Sequence, residues 1–147
     1  MEEITYEALD IGNVFIIGYM MGTYEVMGRG GTQAVANMAG RVAGLELVRY
    51  AESRDLRLEN LEDVQQFLIG AGLTGIIEFE RTTEGVQVDI RDCRICPKRV
   101  GHYDFPGTAC PWGGLLAGLL GDVLDSRFTS TPRLTPGETC HIDMVEK

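Results

Sequence analysis

The 147-residue sequence predicts an α+β fold in which N-terminal helices pack on an antiparallel sheet. Two observations carry this. Helical periodicities occupy the first half of the chain, and two pairs of alternating apolar and polar segments follow, each around a short turn. Composition agrees: 44% apolar and 24% charged residues are ordinary for a globular chain. A chain of this length is expected to form one domain, residues 1–147, and to bury about two-thirds of its surface.

The elements follow in order. "DIGNVFIIGYMMGTYEVMG" (10–28) has the β-branched content of a strand but the length and methionines of a buried helix, and is read as helix. "GRGG" (28–31) lacks the preceding strand and the lysine of a phosphate loop and reads as a turn into the next helix. That helix covers 32–52, with Thr32 as its cap. Val35, Met38, Ala39, Val42 and Leu45 recur along it at helical spacing. Gly40 and Gly44 share one face, and because each glycine costs a helix about 1 kcal/mol, the pair implies close backbone approach to a sheet or another helix, or space for a ligand. Residues 60–72 make another helix, capped by Asn60 and ended by Gly70 and Gly72. Residues 75–92 alternate around "TTEG" as a hairpin with one wet side. A cysteine-rich loop follows. Residues 110–125 form an apolar helix started by Pro111, and 126–134 and 138–146 form a second strand pair. In the last strand Cys140, Ile142 and Met144 face one way, His141 and Asp143 the other.

The net charge of −9 argues against nucleic-acid and anionic-membrane partners, which reward clustered Lys and Arg. The one basic cluster, Arg94, Lys98 and Arg99, reads as a solvated loop. The start, Met-Glu-Glu, lacks the positive charge of a signal peptide, and "VFIIGYMMG" is too short to span a bilayer. A cytoplasmic location is expected. Reducing surroundings then favour metal thiolates over structural disulfides.

The four cysteines are spaced C-x2-C-x13-C-x29-C. Cys93 and Cys96 make a short knuckle whose sulfurs can approach one metal. Cys110 opens a helix, and Cys140 lies in a strand that can pair back near it. Four thiolates suit tetrahedral zinc, and a Gly- and Pro-rich loop with little core gains its order from the metal. Four alternatives stay open: three cysteines with His102, His141 or an acid, an iron–sulfur cluster, a redox Cys-x-x-Cys pair, or plain buried cysteines. No HExxH or HxE…PCxxC pattern accompanies them, which points to a structural rather than catalytic metal. Glu138 reads as a solvated turn acid. Trp112, Tyr103, Phe105 and Phe128 gather near Gly113, Gly114 and Gly118, where large and absent side chains together can leave an apolar concavity.

"TACPWGGLLAGLLGDVL…TPGETCHIDM" resembles the 4-vinyl reductase domain, in which a cysteine opens a glycine-containing apolar helix and a second cysteine lies in a final strand. "GRGGTQAVANMAGRVAGLELV" resembles the helix preceding that module in small archaeal hydrocarbon-binding proteins. The resemblance spans about 28–147, the module itself about 86–147. It implies an α+β ligand-binding fold shared with nitric-oxide-type sensors, frequent dimerisation, cysteine-held zinc and a small apolar ligand nearby. Cys110 and Cys140 match family zinc ligands. The family's intervening pair would fall near Ser130 and Arg133, which cannot replace thiolates, so Cys93 and Cys96 are left to complete the set.

The expected function is therefore a non-enzymatic, regulatory binding protein for a small hydrocarbon or aromatic molecule. Zinc would sit on Cys93, Cys96, Cys110 and Cys140, and the ligand at Phe105, Trp112, Leu116 and Phe128. One alternative is a reductase or accessory factor in tetrapyrrole or cofactor metabolism, although no flavin or nicotinamide motif is present. Another is a homodimeric assembly subunit built on the Gly40–Gly44 face.

Overall fold

The computed structural model describes residues 8–96 and 109–147. The order is α1 (Ala8–Ser53), α2 (Leu61–Gly70), β1 (Thr74–Arg81), β2 (Gly85–Cys93), α3 (Trp112–Val123), β3 (Phe128–Arg133) and β4 (Cys140–Glu146). The four strands form one antiparallel sheet in the order β1-β2-β4-β3. The expected α+β architecture is what the chain adopts.

The two N-terminal helices of the sequence reading are one element, broken at Gly28. Its φ of 72° and ψ of −172° are not helical, and glycine alone enters that region freely. Thr32 is not the cap expected of it. Its hydroxyl donates to the Gly28 carbonyl one turn back, at 2.7 Å, because helical residues already precede it. Asn60 does cap α2: its Oδ1 accepts from the Asp63 N–H at 2.9 Å.

The buried face of α1 also differs from expectation. Val35, Met38, Val42 and Leu45 are exposed. The inward face carries Gly40, Gly44, Val48 and Ala51. A Cβ on Gly40 would collide with the Pro111 carbonyl, and one on Gly44 with the Leu115 carbonyl. Reciprocally, Gly114 lies against the Asn37 carbonyl and Gly118 against that of Arg41. Two glycine pairs, one on each helix, let α1 and α3 cross with backbones touching. This occupies the Gly40–Gly44 face within the chain, so that face is not available for the homodimer expected there.

Helix α3 lies between α1 and the sheet. Trp112, Leu115, Leu116, Leu119 and Leu120 are all buried, which explains a sequence with almost no polar side. Each fully buried leucine contributes about 1.5–3 kcal/mol. They meet Val64 and Leu68 of α2 and the sheet's inner face, which presents Ile77, Val88, Ile90 and Ile142. The outer face is charged and wet, and Asp89 and His141 pair across β2 and β4 there. Among the described residues no helix is long and apolar enough to cross a membrane.

Candidate metal centre

The four cysteines arrive from three separate places. Cys93 ends β2 and Cys96 follows in the next turn. Cys110 immediately precedes α3. Cys140 opens β4, in register with Ile90 of β2, so the strand's alternation turns its sulfur to the inner face. All four line one cavity of about 20 Å³, together with Trp112 and Leu134. That volume accommodates roughly one water-sized sphere.

Several local devices fix the cysteines. Asp92 and Ala109, the residues just before Cys93 and Cys110, both take positive φ, 53° and 46°. Such left-handed backbone on a non-glycine residue costs about 1–3 kcal/mol and persists only where its surroundings over-determine it. The Arg94 N–H donates to the Leu73 carbonyl at 3.0 Å, holding the turn after β2. The Gln33 side-chain amide donates to the Cys110 carbonyl at 3.2 Å, and Gly40 rests on Pro111. Helix α1 therefore pins the start of α3.

Four N–H groups point at three of the sulfurs. The Trp112 indole Nε1–H donates to Cys93 Sγ at 3.1 Å, and the Thr135 N–H to Cys140 Sγ at 3.4 Å. Backbone N–H groups of Ile95 and Trp112 serve Cys93 and Cys110. Each donor favours thiolate, yet burial prevails. It pushes Cys110 up to about 12, the Trp112 N–H opposes it, and repulsion from Cys93, Cys96 and Cys140 adds to it. Burial likewise raises Cys93 and Cys140. Cys93, Cys110 and Cys140 thus all lie above the usual thiol range, with burial as the largest cause in each. Among the described residues no three His, Cys, Asp or Glu side chains stand at metal-ligating spacing. The thiols surround the cavity without closing on a common point.

His141 is turned away from the cavity, onto the outer face with Asp89. His102 and Phe105 lie outside the described residues. Glu138 is exposed in the β3–β4 turn as expected, and it also lines the cavity with Pro136 and Gly137. The sequence reading missed the indole of Trp112 as a sulfur donor. The signal available was its place two residues after Cys110, in the first turn of α3.

The residues expected to bind an apolar ligand have other surroundings. Trp112 and Leu116 are core side chains, 2% and 0% exposed, and Phe128 is half-buried against the same cluster. The backbone contact between α1 and α3 leaves no room between the glycine-bearing helices.

The indole donor yields a direct prediction. Trp112→Phe preserves most of the ring's packing and deletes the N–H to Cys93. Loss of such an outer hydrogen bond weakens metal affinity about 10–100-fold. Competition with a chromogenic chelator measures it, and unchanged affinity would make the indole a packing group only.

This helical layering on a β1-β2-β4-β3 sheet is the fold of vinyl-4-reductase proteins. A crystal structure of a vinyl-4-reductase family protein from Methanocaldococcus jannaschii aligns with 100% of this chain and 84% of its own, with a TM-score of 0.53 at 10% identity. The chain belongs to the MJ0207 family, which it matches over residues 31–146. It is 38% identical over 137 residues to the uncharacterized protein MJ0207 of Methanocaldococcus jannaschii, covering 93% of this chain and 89% of that one. It is also 33% identical over 46 residues to the uncharacterized protein MJ1342 of the same organism, 31% of this chain and 40% of that one. The resemblance to the 4-vinyl reductase domain thus holds at the level of fold.

Proposed function

We propose that this chain is a small binding or accessory domain whose Cys93, Cys96, Cys110 and Cys140 hold one structural zinc ion. The observation that carries this is the convergence of four thiols from three chain segments on one cavity, with N–H donors aimed at the sulfurs. The soft donor set suits zinc, and four sulfurs complete a tetrahedral shell with no position for water, which fits a structural role. Zinc would supply the positive charge that the buried sulfurs lack, and binding would release their protons. Metal analysis of anaerobically purified protein, read with its visible spectrum, tests the reading. One zinc per chain and no colour are expected. Iron with sulfide and a brown colour would move the protein toward electron transfer or reduction, and no metal at all would sink the proposal.

A second reading, binding of a small apolar molecule, is favoured by one observation. An open apolar groove of about 660 Å³ runs along the first half of α1, lined by Phe15, Tyr19, Val26 and Val35 with Gly18 and Gly22. This size is within the range of ligand sites, roughly 300–1,000 Å³. A thermal-shift panel of aromatics and lipids checks it. Binders should raise the midpoint of the wild type and not of Gly22→Leu, whose side chain enters open space and fills the groove. Flat curves for the wild type across the panel would remove this reading.

A further inference from the structure

One short stretch, Ala109 to Pro111, is held by α1 from both sides of the Gly28 break. Before the break, Met20 and Met21 pack on the buried pair Ala36 and Ala109. Beyond it, the Gln33 amide donates to the Cys110 carbonyl at 3.2 Å, and Gly40 lies against the Pro111 carbonyl. Ala109 is buried and takes its left-handed φ of 46° immediately before Cys110. An alanine keeps that conformation only while its surroundings hold it. Here the surroundings are the methionines packed against it and the thiol centre that Cys110 enters.

The apolar groove depends on the same break. Phe15, Tyr19, Gly22 and Val26 line it from before Gly28, and Val35 lines it from beyond. A groove with walls on both limbs of a broken helix exists only at the bend that brings the limbs together. Nothing at the hinge itself fixes that bend: Gly28 has non-helical angles, and open space surrounds the position its Cβ would take. Phe15, Tyr19 and Val26 are exposed, so the first limb is seated through Met20 and Met21. A metal that fixes Cys110 fixes Ala109, and with it the seat of that limb. A molecule that fills the groove fixes the bend, which keeps the methionines on Ala109 and Cys110 in place. Each occupant favours the arrangement that the other binds, and linkage makes the effect mutual.

We propose that occupancy of the thiol centre and occupancy of the α1 groove are positively coupled through Met20, Met21 and Ala109. This rests on both readings above and adds the regulation of one site by the other. The test titrates the full chain with N-phenyl-1-naphthylamine, an uncharged dye that brightens in apolar surroundings, with zinc loaded and with zinc stripped by chelator. The zinc-loaded form should bind the dye roughly tenfold more tightly. Saturating dye should raise zinc affinity by the same factor, read by competition with a chromogenic chelator. Gly22→Leu should abolish dye binding, which places the dye in the groove. Met20→Ala combined with Met21→Ala should keep wild-type circular dichroism and bind both zinc and dye, but with each affinity indifferent to the other occupant. Equal dye affinity in the two wild-type forms overturns the coupling and leaves each site standing. So does coupling undiminished in the methionine variant, or dye held as tightly by Gly22→Leu as by the wild type. A wild type that binds dye in neither form, or takes up no zinc, overturns the underlying reading and this inference with it.

Discussion

Cys110→Ser is expected to abolish zinc retention and to lower the stability of the zinc-loaded protein by about 4 kcal/mol. The figure follows from linkage: a metal that binds only the folded state, present at about a thousand times its dissociation constant, stabilises by that amount. Cys110 is the most informative of the four because its thiol is the one raised to about 12 by burial. Its sulfur has the most to gain from a cation and the least to offer without one. Serine preserves shape and polarity, so a packing defect does not explain a loss of this size. Thermal denaturation with and without chelator checks the effect. The chelated wild type should melt near the variant, and a wild type indifferent to chelator would refute the clamp.

The second large effect lies at the helix crossing. Gly44→Leu is expected to cost more than about 3 kcal/mol, the upper end of ordinary overpacking. The added Cβ alone meets the Leu115 carbonyl and, at 2.9 Å, the Leu119 nitrogen. Both are backbone atoms of a helix, so relief requires α1 and α3 to separate, which would unseat Cys110 as well. In a domain of this size that loss corresponds to a fall of about 6–12 °C in melting temperature. Gly22→Ala is the control. Its Cβ meets nothing within 4 Å, and alanine should stabilise the helix by up to about 1 kcal/mol. A Gly44→Leu protein melting within about 2 °C of wild type would show that the helices are not in contact there.

The legible parts of this fold were the local ones. Alternation in "TCHIDMV" placed Cys140, Ile142 and Met144 on one face, and the structure keeps them there. The cap at Asn60 and the absence of a polar face in α3 were also readable, because each depends on residues within a few positions. The buried side of α1 was not. Val35, Met38, Val42 and Leu45 announce an apolar stripe by bulk, whereas the face that packs announces itself by missing side chains. Its partner, Gly114 with Gly118, lies some seventy residues away, and only the three-dimensional match makes the glycines the inner face. Trp112 and Leu116, read as ligand positions, are core side chains for a related reason. Glycines beside Trp112 suggested an empty space, but backbone from α1 fills it. The cysteine spacing anticipated a common site, and the four residues do line one cavity. The indole and N–H of Trp112 depend on the angle at which α3 begins, and no spacing encodes that angle.

The position of Cys140 has a consequence for how the sheet finds its alignment. Strand β4 pairs with β2 over long sequence separations, with Cys140 opposite Ile90, fifty positions earlier. Pairings so distant in sequence form late and can slip. A shift of one residue would carry His141 inward and turn the sulfur of Cys140 to the wet face. The remaining three cysteines would then surround a gap that no fourth thiol fills. An ion requiring all four sulfurs would bind the correct alignment and reject its neighbours, acting as a proofreader of strand register as well as a clamp.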